Sequence, residues 1–200
     1  MSTAQAHLVD DDEAIRDALE WLLKSRGLPC ASYDSAERFL AAWSPAMTGC
    51  VVLDMRLSGI SGLDCFDQLR ERGSTLPVIF LTGHGDVPLA VATLKKGAFD
   101  FFEKPFNDND LATRVGEAID LDQRQRAANA TVDSVKNRLS SLTTREKQIM
   151  ELVLAGKYNK VIADELNISM RTVEVHRANL FDKMQVKTAV ELANLLKSGG

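Results

Sequence analysis

The side chains most capable of chemistry are carboxylates that follow two short apolar stretches. Asp10 and Asp11 come directly after residues 7–9, and Asp54 comes directly after residues 50–53. Carboxylates that share one site raise each other's pKa, and a hard divalent cation relieves that repulsion. Mg²⁺ prefers oxygen ligands and is held in proteins by one or two carboxylates together with phosphate oxygens. The pattern therefore predicts a cation site beside an exposed nucleophilic carboxylate, Asp54.

Two more polar residues end apolar stretches further along the chain. Thr82 follows residues 77–81, and Lys104 follows the aromatic stretch 99–102. Alone, a threonine there is an ordinary turn residue and a lysine is an ordinary solvated charge. Lys104, however, lies among aromatic residues, and a lysine supplies a point charge for a phosphoryl oxygen. Together with the acids, these two residues indicate a phosphoryl-binding site.

The elements that must position these residues alternate along about 120 residues, which predicts a parallel, doubly wound α/β sheet. Ligands of such sheets bind beyond the carboxyl ends of the strands, so the acids, the threonine and the lysine converge at one edge. Asp12 is expected to cap the first helix. The predicted strands are 7–9, 30–33, 50–53, 77–81 and 99–102, and the predicted helices are 13–24, 35–40, 63–70, 87–95 and 108–119.

The residues above resemble the receiver domain of two-component response regulators. The resemblance rests on Val9-Asp10-Asp11, Asp54, Thr82-Gly83 and Lys104-Pro105, with 28 residues from Asp54 to Thr82 and 22 from Thr82 to Lys104. It covers residues 4–122. It implies a flavodoxin-like, five-stranded parallel sheet of order 2-1-3-4-5. It also implies that Asp54 accepts phosphate from the phosphohistidine of a sensor histidine kinase.

The same resemblance implies roles for the neighbouring residues. The implied ligands of Mg²⁺ (or Mn²⁺) are three carboxylates and one backbone carbonyl: Asp10, Asp11, Asp54 and Arg56. The implied phosphoryl contacts are Thr82 and Lys104, and the implied switch aromatic, which turns inward as Thr82 moves, is Phe101. The family often has Met-Pro where this chain has Leu57-Ser58-Gly59. We therefore expect a less rigid loop after Asp54 and an altered phosphate lifetime.

Charge divides the chain into two parts. Residues 1–122 carry 11 basic and 20 acidic side chains, a net charge of −9, whereas residues 123–200 carry 13 and 8, a net charge of +5. An acidic front part and a basic back part suggest that the back part meets nucleic acid. The polar, alanine-rich stretch 123–141 predicts a linker, helical or frayed. The expected domains are therefore 1–122 and 142–200.

Residues 142–200 have the pattern of four short helices, an all-α domain. Thr143 and Glu146 are spaced as a capping box, and Ser169 is placed to cap a third helix that ends near Met184. The outward face of that third helix is polar, as in helices that enter the major groove of DNA. A small helical bundle that only dimerises is the alternative interpretation.

Three motifs in this part resemble the LuxR-type helix-turn-helix: Leu142-Thr143-x-Arg145-Glu146, Gly156-x-x-Asn159-Lys160-x-Ile162-Ala163 and Ser169-x-x-Thr172-Val173-x-Val175-His176. With the receiver ahead of it, the chain resembles the NarL/FixJ class of transcriptional regulators, FixJ-like members above all. The implied base contacts are Glu174, Val175 and Ala178. The implied phosphate or groove contacts are Lys160, Arg171, Thr172, Arg177 and Lys183.

Other classes are disfavoured. Three cysteines without CxxC spacing argue against zinc sites and disulfides. Without an apolar stretch of about 20 residues, a cytoplasmic protein with no membrane partner is expected. An aspartyl-phosphate phosphatase would need a general acid where Arg56 stands, so no enzyme acting on an external substrate is expected. A receiver that works without phosphate is a third alternative. The favoured hypothesis is phosphorylation that promotes homodimerisation and promoter binding.

Overall fold

The computed structural model describes residues 4–83 and 87–198. The chain divides into two compact units, Met1–Gln125 and Arg126–Gly200. Within the described residues, no helix combines the length and the apolar composition needed to cross a membrane.

The first unit contains a five-stranded parallel sheet. Its strands are β1 (Gln5–Val9), β2 (Cys30–Tyr33), β3 (Gly49–Asp54), β4 (Val78–Thr82) and β5 (Asp100–Glu103). They lie side by side in the order β2-β1-β3-β4-β5, which confirms the predicted topology. β3 and β4 are buried along their whole length, because helices cover both faces of a parallel sheet.

Helices connect these strands in sequence. They are α1 (Glu13–Ser25), α2 (Ala36–Ala42), α3 (Gly62–Glu71), α4 (Val87–Lys95) and α5 (Asp108–Ser140). α1 begins where it was predicted, because the Asp12 carboxylate accepts a hydrogen bond from the backbone N–H of Ala14 at 2.9 Å. Strand and helix bounds up to α4 lie within two residues of the prediction.

Two apolar clusters hold the sheet between its helices. On one face, Leu8 and Val52 pack with Leu22 of α1 and Val115 of α5. On the other face, residues of the same strands pack with α2 and α3, where the Phe66 and Phe80 rings meet edge to face at 5.5 Å between centroids. The carboxyl ends of β1 and β3 are thereby held between helices on both faces of the sheet.

The end of α5 differs from the sequence prediction. The predicted helix stopped at residue 119 and was followed by a helical or frayed linker over 123–141; the structure joins the two into one helix that continues to Ser140. Alanine, arginine and glutamine favour helix even where apolar periodicity is lost. In its last turns Val135 is buried and Leu139 packs against the core of the second unit. This part of the predicted linker therefore belongs structurally to the second unit.

Four helices complete the second unit: α6 (Thr144–Leu154), α7 (Asn159–Leu166), α8 (Met170–Met184) and α9 (Ala189–Ser198). The predicted capping box is present at α6, where Thr143 and Glu146 exchange hydrogen bonds. The Ser169 hydroxyl accepts from the backbone N–H of Thr172 and caps α8. Ile149, Val173, Leu180 and other apolar side chains from all four helices form one core.

Candidate functional sites

The acidic cluster lies where β1 and β3 end. β1 and β3 pair in register from Gln5 with Gly49 to Val9 with Leu53. Asp10 follows Val9 and Asp54 follows Leu53, so these two acids come at the same level of neighbouring strands. Carboxylate oxygens of Asp10, Asp11 and Asp54 all lie within 4.8 Å of one another. The structure therefore brings together the three acids that the sequence predicted to meet.

The three acids differ in exposure. Asp10 is 1% exposed and Asp54 is 8% exposed, whereas Asp11 is exposed to solvent. Asp54 was expected to be exposed; it is instead buried, and its carboxylate pairs with Lys104 at 3.0 Å. The cluster thus opens to solvent on the side of Asp11.

Lys104 provides the positive charge of the cluster. Its Nζ donates to Asp10 Oδ2 at 2.9 Å and to Asp54 Oδ2 at 3.0 Å. Burial lowers the pKa of Lys104, but these two hydrogen bonds outweigh burial and raise it above its usual range. One ammonium group therefore contacts two of the three carboxylates of the cluster.

Burial also governs the acceptor carboxylate. The pKa of Asp54 is raised chiefly because its carboxylate is buried, and hydrogen bonding from Lys104 only partly offsets this. The backbone N–H of Arg56 donates to Asp54 Oδ1 at 3.3 Å, which places the Arg56 backbone at the edge of the cluster. Three clustered carboxylates are the oxygen-donor chemistry that a hard divalent cation takes, so these residues fit Mg²⁺.

Thr82 and Phe101 lie on neighbouring strands. The register pairs Phe80 of β4 with Phe101 of β5. Since Thr82 is two residues after Phe80, Thr82 and Phe101 share a face of the sheet. Phe101 is half-buried against the apolar cluster that packs with α2 and α3. The buried Thr82 hydroxyl donates to the backbone carbonyl of Phe102 at 3.4 Å. That contact holds Thr82 toward β5 in the unmodified chain.

The loop between β3 and α3 contacts the cluster through a residue whose contact the sequence analysis did not foresee. The Ser58 N–H donates to Asp11 Oδ2 at 2.9 Å, and the Ser58 hydroxyl donates to the same oxygen. The hydroxyl hydrogen bond is the largest influence that lowers the pKa of Asp11. The signal was present in the sequence, because serine replaces the proline common in the family and restores a backbone N–H.

Close packing beside Asp54 depends on a glycine. A Cβ on Gly62, the first residue of α3, would lie 2.1 Å from the backbone carbonyl oxygen of Asp54 and 2.9 Å from the Cα of Met55. The Gly62 N–H instead donates to the Met55 carbonyl at 3.1 Å. Only glycine allows α3 to begin this close to the end of β3.

The second candidate site is the surface of α8 and the start of α7. Lys160, Arg171, Glu174 and Ala178 are exposed, and Val175 is 53% exposed. These five predicted base and phosphate contacts therefore lie at the surface of the second unit.

Three predicted DNA contacts are partly engaged within the unit. The Thr172 hydroxyl lies 2.8 Å from that of Ser169, and the Arg177 guanidinium lies over the Phe181 ring at 5.5 Å from its centroid. Lys183 Nζ donates to Glu146 Oε2 at 2.7 Å. Burial favours a higher pKa for Glu146, but the hydrogen bonds from Lys183 and Thr143 outweigh burial and lower it. Lys183 therefore has a structural role that the sequence analysis did not include.

Comparison with known proteins identifies both units. Residues 6–116 match the family described as "Response regulator receiver domain", and residues 140–196 match "Bacterial regulatory proteins, luxR family". The chain is similar to the transcriptional regulatory protein FixJ of Bradyrhizobium diazoefficiens, with 42% identity across 99% of this chain and 98% of FixJ. It is also similar to the C4-dicarboxylate transport transcriptional regulatory protein DctR of Rhodobacter capsulatus, with 46% identity across 94% of this chain and 97% of DctR.

A solved structure resembles the whole chain. The low-resolution structure of the response regulator StyR matches with a TM-score of 0.93 and 38% identity, covering 98% of this chain and 99% of StyR. These matches confirm the resemblance on which the sequence analysis relied.

Proposed function

Because the chain belongs to the response regulators that join a receiver domain to a LuxR-type DNA-binding domain, we propose that phosphorylation of Asp54 controls its binding to promoter DNA. The observation that carries the proposal is the cluster at the strand ends, where Asp54 lies within 4.8 Å of two further carboxylates and 3.0 Å from Lys104. The family is that of transcriptional regulators; the residue-level mechanism below is our proposal.

In the proposed reaction, Asp54 receives a phosphoryl group from the phosphohistidine of a sensor histidine kinase. An Asp54 carboxylate oxygen forms a bond to phosphorus while the bond between phosphorus and the histidine nitrogen breaks. The electron pair of that bond goes to the imidazole nitrogen, which takes a proton from solvent. Lys104, within hydrogen-bond distance of Asp54, would contact the phosphoryl oxygens and offset their charge. The chain catalyses this uptake on itself and acts on no external substrate.

Asp10, Asp11, Asp54 and the backbone carbonyl of Arg56 would hold Mg²⁺ or Mn²⁺. When bound, the cation neutralises the carboxylates and the oxygens of the incoming phosphoryl group. Asp11 is the exposed member of the cluster and is therefore the ligand through which the site is reached from solvent. Asp10 is buried and accepts a hydrogen bond from Lys104, which holds its carboxylate in place within the cluster.

The signal leaves the cluster through Thr82. A phosphoryl group on Asp54 adds strong acceptor oxygens, and the Thr82 hydroxyl would exchange its 3.4 Å hydrogen bond to Phe102 for one to those oxygens. The half-buried Phe101, on the same face of the sheet, would then turn into the vacated space. To move an equilibrium from 1:99 to 99:1, the phosphate must favour the active packing by about 5.5 kcal/mol.

We propose that the active packing favours a homodimer through the receiver, formed by α4, β5 and α5. Two copies of the DNA-binding unit would then engage two half-sites, and α8 would lie in the major groove. Glu174, Val175 and Ala178 would meet base edges; Lys160, Arg171, Thr172, Arg177 and Lys183 would meet phosphates or the groove. We propose 1–122 as the receiver, 142–200 as the DNA-binding domain, and the cytoplasm as the location.

The proposal is tested on the full chain with acetyl phosphate and Mg²⁺ as the phosphodonor mixture. A duplex selected from a random library by the treated protein serves as the probe, and binding is followed by fluorescence anisotropy and mass by light scattering. Treatment should double the mass and tighten binding, whereas Asp54→Asn should respond in neither measurement. If treatment changes neither the DNA affinity nor the mass of the chain without substitutions, the proposal is refuted.

The α8 surface needs its own control. Arg171→Ala should weaken binding to the selected duplex while leaving phosphate-dependent dimerisation intact, because Arg171 is exposed on α8. Arg124→Ala is the matched control, since Arg124 is exposed on α5, outside the predicted DNA-binding domain, and donates to the Asp120 carbonyl. Equal losses of affinity in the two variants would show that α8 is not the DNA-binding element.

A further inference from the structure

The contact between Ser58 and Asp11 joins the loop after β3 to the loop after β1. Both donors of Ser58, its backbone N–H and its hydroxyl, meet a single oxygen, Asp11 Oδ2. A hydrogen bond to a charged group is stronger than one between neutral groups. Since Asp11 is exposed, its carboxylate would otherwise be free to rotate into solvent.

This contact is compatible with the acidic cluster. While Asp11 accepts from Ser58, a carboxylate oxygen of Asp11 still lies within 4.8 Å of oxygens on Asp10 and Asp54. The same orientation therefore satisfies Ser58 and keeps Asp11 within reach of an ion shared with the other two acids. Ser58 stabilises the clustered orientation and does not compete with it.

The loop that carries Ser58 is itself anchored. Two residues further along, the Ile60 N–H donates to Glu37 Oε1 of α2 at 2.9 Å. Between them, Gly59 has φ +92°, and a Cβ there would lie 2.6 Å from the same Glu37 oxygen. The loop is thus held on the α2 side, so Ser58 meets Asp11 from a fixed support.

We infer that Ser58 is a positioning residue for the divalent cation, because it orients the Asp11 carboxylate toward Asp10 and Asp54. The inference rests on the metal site of the proposed function and adds a residue to it. Partners that orient metal ligands commonly change metal affinity by tenfold or more when removed. Serine can do this through two donors, whereas a proline at this position would offer neither.

The test measures cation affinity directly, without phosphorylation. Mn²⁺ is titrated into the full chain, and the electron paramagnetic resonance signal of free Mn²⁺ gives the dissociation constant. Ser58→Ala should raise that constant about tenfold, since the hydroxyl donor is lost and the N–H remains. Ser58→Thr keeps the hydroxyl and should restore an affinity close to that of the unmodified chain.

Ser61→Ala is the matched control on the same loop. The Ser61 hydroxyl caps α3 through the Asp64 N–H at 3.1 Å and does not meet Asp11. Its removal should lower the stability of the receiver and leave the Mn²⁺ dissociation constant unchanged. This separates loss of loop structure from loss of ligand orientation.

Two results would overturn the inference. If Ser58→Ala binds Mn²⁺ as tightly as the unmodified chain, Ser58 does not position Asp11, and the proposed function stands without it. If Ser61→Ala weakens Mn²⁺ binding as much as Ser58→Ala, the effect is general to the loop. Absence of saturable Mn²⁺ binding in the unmodified chain would instead overturn the metal site of the proposed function itself.

Discussion

Replacement of Lys104 by methionine should destabilise the receiver, because Lys104 neutralises two buried carboxylates. Its Nζ lies 2.9 Å from Asp10 and 3.0 Å from Asp54, and the Asp10 side chain is 1% exposed. Methionine retains most of the length and apolar contact of the lysine stem and removes the charge. Lys104→Met therefore tests the charge balance of the cluster with little change in packing.

The expected loss follows from the burial of the pair. Removing one partner of a fully buried ion pair costs about 3–5 kcal/mol, because the other charge stays buried without compensation. The Lys104 side chain is 23% exposed, so water screens part of its interaction with the two carboxylates. We therefore expect the free energy of unfolding to fall by about 2–4 kcal/mol.

The assay is urea unfolding of the full chain with chelator present, followed by tryptophan fluorescence. Both tryptophans of the chain, Trp21 and Trp43, lie in the first unit, so the signal reports the receiver alone. Lys96→Met is the matched control: Lys96 pairs with Asp67 at 2.7 Å, but both side chains are more than 40% exposed. Exposed pairs contribute about 1 kcal/mol or less.

Equal losses of unfolding free energy in Lys104→Met and Lys96→Met would show that Lys104 does not compensate buried charge. The pH dependence provides a second check with a defined sign. Loss of Lys104 removes the hydrogen bond that holds the pKa of Asp54 down, so burial raises this pKa further in the variant. Protonation relieves the uncompensated charge, so the stability difference from the unmodified chain should shrink as the pH falls and widen as it rises.

Four more substitutions test the packing, capping and burial described above. The Gly62→Ala receiver should unfold at a markedly lower urea concentration, because the added Cβ would lie 2.1 Å from the Asp54 carbonyl oxygen. Gly116→Ala is the matched control: its Cβ would have no atom within 4 Å, so it should stabilise the receiver by about 0.5–1 kcal/mol. Thr143→Ala should cost α6 about 1 kcal/mol, measured as faster amide hydrogen exchange over residues 144–154, since the capping box with Glu146 is lost. Burial lowers the pKa of His7, so the unfolded state binds the proton more strongly than the folded state. The stability of the receiver should therefore fall as the pH is lowered from 7.5 to 5.5, by at most about 1.4 kcal/mol per pH unit. The slope should be smaller in His7→Gln. An identical slope in His7→Gln would contradict this last expectation.

The sheet and the cluster were predictable because both depend on local patterns. Each strand is a short apolar stretch bounded by turn residues, and parallel strands bring the residues that follow them to one edge. Asp10, Asp54 and Lys104 meet for this reason, although 94 residues separate Asp10 from Lys104. Topology converts three separate sequence positions into one site.

The contacts that were missed depend on side chains or loops that topology does not place. Ser58 reaches Asp11 across 47 residues only because the loop after β3 folds back over the end of β1. Lys183 was assigned to the outward face of α8, and the contact of its long side chain with Glu146 of the α6 capping box was not predicted. The stretch 123–141 was predicted to be a helical or frayed linker, but its fusion with the last receiver helix was not predicted, because residues 123–134 carry almost no apolar periodicity, the signal used to place helix bounds.

Asp54 is the residue proposed to receive the phosphoryl group. The 200-residue chain is incubated with acetyl phosphate and Mg²⁺, the acyl phosphate is trapped by borohydride reduction, and the peptides are sequenced by mass spectrometry. Reduction is expected at Asp54, and none at Asp10 or Asp11. A folded protein that stays unmodified under these conditions, or that is modified at a different carboxylate, would contradict the proposal.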